Sequence, residues 1–267
     1  MHFGYTLAAS MLFAVSPLLA QTTPTPAPAP AVAPAPARAA STAPSAQTPE
    51  QIAAMQAKLN DWPQLDRYRA ENAALAVPAA GEQRVVFYGD SITDGWGRRP
   101  GTGTFFPGKP YVNRGISGQT TPQMVVRFQQ DVVHLQPAVV VILAGTNDVA
   151  GNTGPSTPEM TEDNFAAMAA IARQNGIKVV LASITPAYAY PWKPSVQPVP
   201  AIHEINQWLK DYSAREHFVY LDYYSALVDD KGGMRPGLSF DGVHPNAAGY
   251  AIMAPLAEAA IAQALGQ

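Results

Sequence analysis

A serine hydroxyl attacks a carbonyl only when a neighbouring base takes its proton, and the side chain suited to that task at neutral pH is histidine. The chain has five histidines and no cysteine, which excludes a thiol nucleophile, a thiolate zinc site and a disulfide. His2 sits at the start, His134 at the end of an amphipathic stretch, His203 within a helical one and His217 in the turn behind it; each has an ordinary surface or capping role open to it. His244 stands apart. It falls in Ser239-Phe240-Asp241-Gly242-Val243-His244-Pro245, where Asp241 lies three residues upstream and Pro245 holds His244 extended while opening the last helix. That spacing lets Asp241 bond one imidazole nitrogen and leaves the other free to act as a base.

The matching nucleophile is Ser91, which follows an apolar run through Gly89 and Asp90. A tight strand-to-helix turn there would expose the hydroxyl and aim the backbone N–H outward. An ordinary helix N-cap serine is the alternative. The G-x-S-x-G nucleophile elbow of the α/β-hydrolases is absent, since Gly89-x-Ser91 leads to Thr93 and Gly115-x-Ser117 to Gln119. Acyl transfer also needs donors aimed at a developing oxyanion. The N–H of Ser91, the N–H of Gly115 and the side-chain amide of Asn147 are the candidates. A plain turn glycine and an asparagine bonding its own backbone are the alternatives for the last two.

Elements that could bring these residues together are legible as alternating patterns. Buried strands are expected at Arg84–Tyr88, Tyr111–Asn113, Ala138–Ala144, Ile177–Ala182 and Phe218–Leu221. Helices are expected over Pro122–Leu135, Pro158–Asn175, Val199–Ala214 and Pro245–Leu265, with Ile52, Met55 and Leu59 marking a helical extension over about 50–78. Such alternation implies a parallel sheet of about five strands, covered on both faces, with ligands bound at the carboxyl ends of the strands. Ser91, Gly115, Asn147, Ser183 and Asp222 all fall just after an expected strand.

Four blocks taken together resemble the SGNH or GDSL hydrolases: Gly89-Asp90-Ser91-Ile92-Thr93, Asn113-Arg114-Gly115, Gly145-Thr146-Asn147-Asp148 and Asp241-Gly242-Val243-His244-Pro245. The stretch GDSITDGW is similar to the lysophospholipase L1-like and platelet-activating factor acetylhydrolase-like branch. The resemblance implies a flavodoxin-like three-layer α/β/α fold and an esterase that uses no metal or other cofactor. It also implies Ser91 as nucleophile, His244 as base and then acid, Asp241 as its orienter, and Ser91, Gly115 and Asn147 as the oxyanion hole.

The rest of the chain bounds substrate and location. Seventeen basic residues against twenty acidic ones give no surplus for phosphate neutralisation, so nucleic acid is a poor partner. Leu7–Ala20 reads as an export signal occupying residues 1–20, and its apolar run is too short to span a bilayer; the alternating Ala and Pro of residues 21–49 read as a solvated spacer. The folded domain is expected over 50–267, in the periplasm or secreted, without stable membrane insertion. Asp90, Trp96, Arg114, Tyr188 and Trp192 are the candidate substrate contacts, with Arg98, Arg99 and Lys109 able to favour an acidic group. No long apolar segment offers a lipase lid, so a short acyl group, acetyl on a carbohydrate or other small alcohol, is expected. Three readings compete: a lysophospholipase or thioesterase acting on longer chains, a metal-dependent phosphoesterase using Asp90, Asp94, Asp148, Asp241 and His244, and a non-catalytic wall-binding module.

Overall fold

The computed structural model describes residues 47–266; the expected signal at 1–20 and the linker up to residue 46 lie outside the described residues. Five short valine-rich runs form β1 (Val85–Gly89), β2 (Tyr111–Gly115), β3 (Val139–Leu143), β4 (Lys178–Ala182) and β5 (Val219–Leu221). They pair in parallel in the order β2-β1-β3-β4-β5, each within two residues of its expected bounds. The helices are α1 (Pro49–Asn60), α2 (Arg69–Ala74), α3 (Ser91–Gly95), α4 (Thr121–Asp131), α5 (Thr146–Val149), α6 (Pro158–Gln174), α7 (Val199–Glu216), α8 (Tyr223–Leu227) and α9 (Ala247–Leu265).

The pleat sends successive side chains to opposite faces, and both faces are covered, which is why the central strands β1 and β3 read as nearly unbroken apolar runs. Val86, Tyr88, Val140 and Ile142 pack with Met124 and Phe128 of α4, Phe165 and Met168 of α6, and Ile205 and Leu209 of α7. Val85, Phe87, Val139 and Val141 pack instead with Met253, Ala257 and Ile261 of α9 and with Trp96, Phe106 and Tyr250. Helix α9 is apolar and long enough by composition to cross a bilayer, but its small Ala257, Ala260 and Ala264 are buried against the sheet. This is the three-layer α/β/α arrangement that the alternation of elements predicts.

Three local expectations change. The last helix starts at Ala247 rather than Pro245, because the Asn246 side chain accepts the N–H groups of Ala248 and Gly249 and so takes the cap, while Pro245 bridges back to Ser239. The helix expected through Leu135 stops at Asp131 and tightens into a 3₁₀ turn at Val133–Leu135, which contains His134. In α1, no residue is buried: Ile52, Met55 and Leu59, which have core-like spacing, are exposed.

Register places the chemistry. Gly89 of β1 is level with Gly115 of β2 and Leu143 of β3, so the segments leaving these three neighbouring strands emerge side by side. Beneath them lies the fully buried Arg127, which donates to the carbonyls of Gly89 at 3.0 Å and Arg114 at 2.9 Å and to the Gln119 side chain. The extension before β1 is tied to the same edge: the buried Tyr68 hydroxyl donates to the Gly115 carbonyl, and Asn72 bonds both Arg114 and Asp131, at 2.8 and 2.7 Å.

Candidate active site

Ser91 is the first residue of α3, behind the N-cap Asp90, whose carboxylate accepts the Ile92 N–H at 2.9 Å. Its Oγ lies 3.0 Å from Nε2 of His244. On the far side of the ring, Nδ1 lies 2.7 Å from Oδ2 of Asp241. The loop carrying this pair folds on itself. Asp241 Oδ1 accepts the N–H groups of His244 at 2.8 Å and Val243 at 3.1 Å, and Phe240 N–H donates to the His244 carbonyl at 2.9 Å. Partial burial pushes the Asp241 pKa up, but the His244 and Val243 bonds outweigh it and hold the carboxyl below its ordinary range. An ionised Asp241 fixes the proton of a neutral imidazole on Nδ1, leaving Nε2 to accept from the serine.

The donors open to the cleft differ in part from those expected for an oxyanion hole. Gly115 lies inside β2 with its N–H bonded to Asn113 Oδ1 at 3.0 Å, and a Cβ there would sit 2.1 Å from the Asp94 backbone nitrogen. Its lack of a side chain serves close packing of α3 on β2, and it does not line the cleft. The glycine that does is Gly118. It takes φ +81° in a tight turn closed by the Gln119 N–H on the Ile116 carbonyl, a geometry that calls for glycine at that position. The N–H groups of Gly118 and Ser91 have no hydrogen-bond partner among the described residues. Asn147 Nδ2 donates to the Gln119 carbonyl at 3.0 Å and makes a long 3.4 Å contact with Asp90 Oδ2, while its Oδ1 accepts from Asn152 at 2.6 Å.

These groups open onto a cleft of about 530 Å³ that is also lined by Arg67, Asp94, Arg98, Arg99, Asn152 and Trp192. Trp192 donates to Asn152 Oδ1 at 3.1 Å, stacks on Tyr190 at 5.1 Å and lies 5.9 Å from the His244 ring. The other expected contacts lie elsewhere. Trp96 is buried in the aromatic cluster under α9. Arg114 is buried and bonded to Asn72, Glu71 and the Asn113 carbonyl. Asp90 is buried behind Asn147, and Tyr188 is exposed beside Gly233 and does not line the cleft. Gly118, Asn152 and Arg67 were not singled out from sequence; only Gly118 carries a local signal, the Ser-Gly turn dipeptide after a strand.

The five side chains of the metal reading do not converge. Asp148 is taken up by Thr121, whose N–H and hydroxyl it accepts at 3.0 and 2.6 Å, and Asp94 by Ser117 and Arg98. Among the described residues no three His, Asp or Glu side chains group as metal ligands. His203 bonds the Tyr224 hydroxyl at 2.6 Å, and His217 ends α7 in a left-handed conformation.

Comparison with known proteins agrees with this geometry. A sequence profile of the GDSL-like Lipase/Acylhydrolase family matches residues 87–252, more than half of the chain. The crystal structure of a GDSL-like lipase from Bacteroides thetaiotaomicron is 43% identical, with a TM-score of 0.72, covering 76% of this chain and 98% of that one. An acetylxylan esterase of Geobacillus stearothermophilus is 26% identical over 204 residues, 64% of this chain and 90% of that protein. An uncharacterized lipoprotein of Bacillus subtilis is 29% identical over 129 residues, which are 46% of this chain and only 44% of that protein's length. The chain belongs to the GDSL-like lipase/acylhydrolase family of ester hydrolases.

Proposed function

We propose that the chain hydrolyses carboxylic esters in two steps through an acyl-enzyme on Ser91. The observation that carries this reading is the unbroken relay from Ser91 Oγ through the His244 ring to Asp241, at 3.0 and 2.7 Å. His244 takes the serine proton, returns it to the leaving alcohol, and then activates the water that releases the acid. The free N–H groups of Ser91 and Gly118 meet the developing oxyanion. The Asn147 proton on the long Asp90 contact is the one a charged oxygen can draw away. The chemistry asks for no cofactor. A fluorophosphonate should label Ser91 in the full chain and fail to label Ser91→Ala; labelling that persists in that variant would remove the mechanism, and a non-catalytic wall-binding module predicts none at all.

The acyl group is short, most simply acetyl, and the alcohol is a carbohydrate or another small molecule. The acetylxylan esterase relative supports this, as does the indole of Trp192 beside the His244 ring, where a departing sugar could stack. One feature favours a longer chain: a groove of about 1000 Å³ lined by Met55, Leu59 and Trp62 shares Ser117, Gly118 and Asn152 with the cleft. Rates on nitrophenyl esters from acetyl to dodecanoyl separate the two, since a maximum at two carbons supports the acetylesterase and one at eight or more supports the groove. Export to the cell envelope, with residues 21–49 as a spacer, completes the reading, and the lipoprotein relative is consistent with it.

A further inference from the structure

Three guanidinium groups, those of Arg67, Arg98 and Arg99, line the cleft beside Ser91. Asp94 is the one carboxylate among its lining residues, while Asp241 and Asp90 lie behind His244 and Asn147. A low-dielectric wall behind the guanidinium groups concentrates their field in the cleft.

The three arginines differ in what holds them. Arg98 is committed to the fold: it donates to Asp94 at 3.1 Å, to the Tyr68 hydroxyl at 2.6 Å and to the Asn113 carbonyl at 3.0 Å. Arg67 lies over the Tyr68 ring at 4.6 Å, with its nearest carboxylate oxygens, on Glu71 and Asp94, at 3.8 and 3.9 Å, beyond hydrogen-bond reach. Arg99 has no ion pair and no side-chain hydrogen bond among the described residues; its guanidinium rests on the Phe240 ring at 4.4 Å. Phe240 is the neighbour of Asp241, so Arg99 is braced against the loop that carries the catalytic base. The other nearby cations are accounted for, Lys109 by Glu258 at 3.3 Å and Arg114 by Glu71 at 3.3 Å. Stacking fixes the plane of a guanidinium while leaving its edge of N–H donors open, the geometry that grips a carboxylate or phosphate in two bonds.

We propose that Arg99, with Arg67 as a second donor, forms an anion subsite, and that the natural ester carries a carboxylate or phosphate close to the acyl group that is removed. The inference rests on the serine ester hydrolase reading and names the substrate class for that same cleft.

A set of acetate esters on one phenol frame tests it with the full chain: 4-acetoxybenzoate, 4-acetoxyphenyl phosphate and the neutral 4-acetoxybenzamide, with the 3-substituted isomers run alongside to vary the reach of the anion. The ratio of kcat/KM for each anionic ester to its neutral partner is the readout, so a general loss of activity cancels. At low salt the wild type should prefer at least one anionic ester by about three- to tenfold, the range of a partly exposed, charge-assisted pair. The preference should shrink as salt rises to about 1 M. Arg99→Gln should bring the ratio close to one, Arg99→Lys should keep part of it, and Lys109→Gln, outside the cleft, should keep all of it. The better of the two anionic series tells a carboxylate substrate from a phosphate one. A wild type with no preference for any anionic ester, or an Arg99→Gln variant that keeps the preference, overturns the subsite; fluorophosphonate labelling and neutral-ester turnover would then still stand for the esterase. Absence of both in the wild type would take down the underlying reading and the subsite with it.

Discussion

Arg127 and Asp131 form an ion pair at 3.1 Å with both side chains wholly removed from solvent, directly beneath the turn that carries Ser91. A buried pair of this kind is usually no more stabilising than apolar side chains of the same volume, because desolvation offsets the attraction. Here the guanidinium also satisfies the Gly89 and Arg114 carbonyls and lies 4.1 Å over the Tyr88 ring, so it joins the ends of β1 and β2.

Arg127→Met should therefore cost about 3–5 kcal/mol, since it leaves Asp131 charged and only partly bonded in the interior. The double change Arg127→Met with Asp131→Leu should recover only part of that, because the Gly89 carbonyl, which keeps the Ile116 N–H at 3.0 Å, and the Arg114 carbonyl each lose a charge-assisted bond and the Gln119 side chain loses its donor. Urea unfolding of the three proteins gives the answer. Full recovery in the double variant would mean that the two carbonyl bonds contribute nothing.

Two glycine and asparagine variants separate packing from chemistry. Asn147→Ala should lower kcat by about 10²–10³ with a modest change in KM, the usual loss for one oxyanion donor. Gly115→Ala should act on stability instead, as its Cβ would press on the Asp94 nitrogen at 2.1 Å and lift α3 off β2. Thermal melts and esterase rates on both variants would show the two effects separately; a Gly115→Ala protein that melts normally would contradict the packing reading.

Much of this arrangement could be read in the chain, and the failures share a cause. The Asp241 and His244 pair was legible because three residues of loop suffice for a carboxylate to reach the neighbouring ring, and Ser91 because it directly follows a strand. Gly115 belongs to the motif block and ends β2, while Gly118 lies three residues further on; which N–H stays free depends on Asn113, whose side chain turns back onto Gly115. Trp96 and Arg114 have residue types suited to a ligand, but whether such a side chain faces the cleft or the interior is decided by α9 and by the extension around Asn72, far away in sequence. Arg67 and Asn152 reach the cleft through turns that carry no periodicity, so no pattern marked them. The short α5 and α8, of four and five residues, hold too little sequence to show a helical repeat.

Asp241→Asn tests the tautomer. An asparagine can turn its NH₂ toward Nδ1, which would move the ring proton to Nε2 and leave no lone pair for the serine. A loss of about 10⁴ in kcat is expected, with substrate binding little changed, as for an orienting carboxylate in a serine triad. Acyl-enzyme formation should slow in step, measured as the rate of fluorophosphonate labelling. Labelling at the wild-type rate would show that Asp241 does not set the tautomer.

Asp90 predicts opposite signs for stability and activity. Burial pushes its pKa up to about 6 from 3.8, against the Ile92 N–H and the nearby His244 that pull it down. The folded chain thus favours the protonated acid. That contribution is complete below pH 3.8 and is lost as pH climbs through about 6, so ionised Asp90 costs the wild type stability at neutral pH. Two units of displacement correspond to about 3 kcal/mol. Asp90→Asn keeps an oxygen for Ile92 and cannot ionise, so its stability relative to the wild type should rise by about that amount between pH 4 and 7 in urea titrations; parallel curves would rule out the buried charge. The same variant can set an NH₂ group against Asn147 Nδ2, 3.4 Å from the oxygen it replaces. Two donors repel there, Asn147 shifts out of line for the oxyanion, and kcat should fall even as the protein becomes harder to unfold. On the proposed mechanism the ionised carboxylate costs stability and in return orients the Asn147 amide toward the oxyanion.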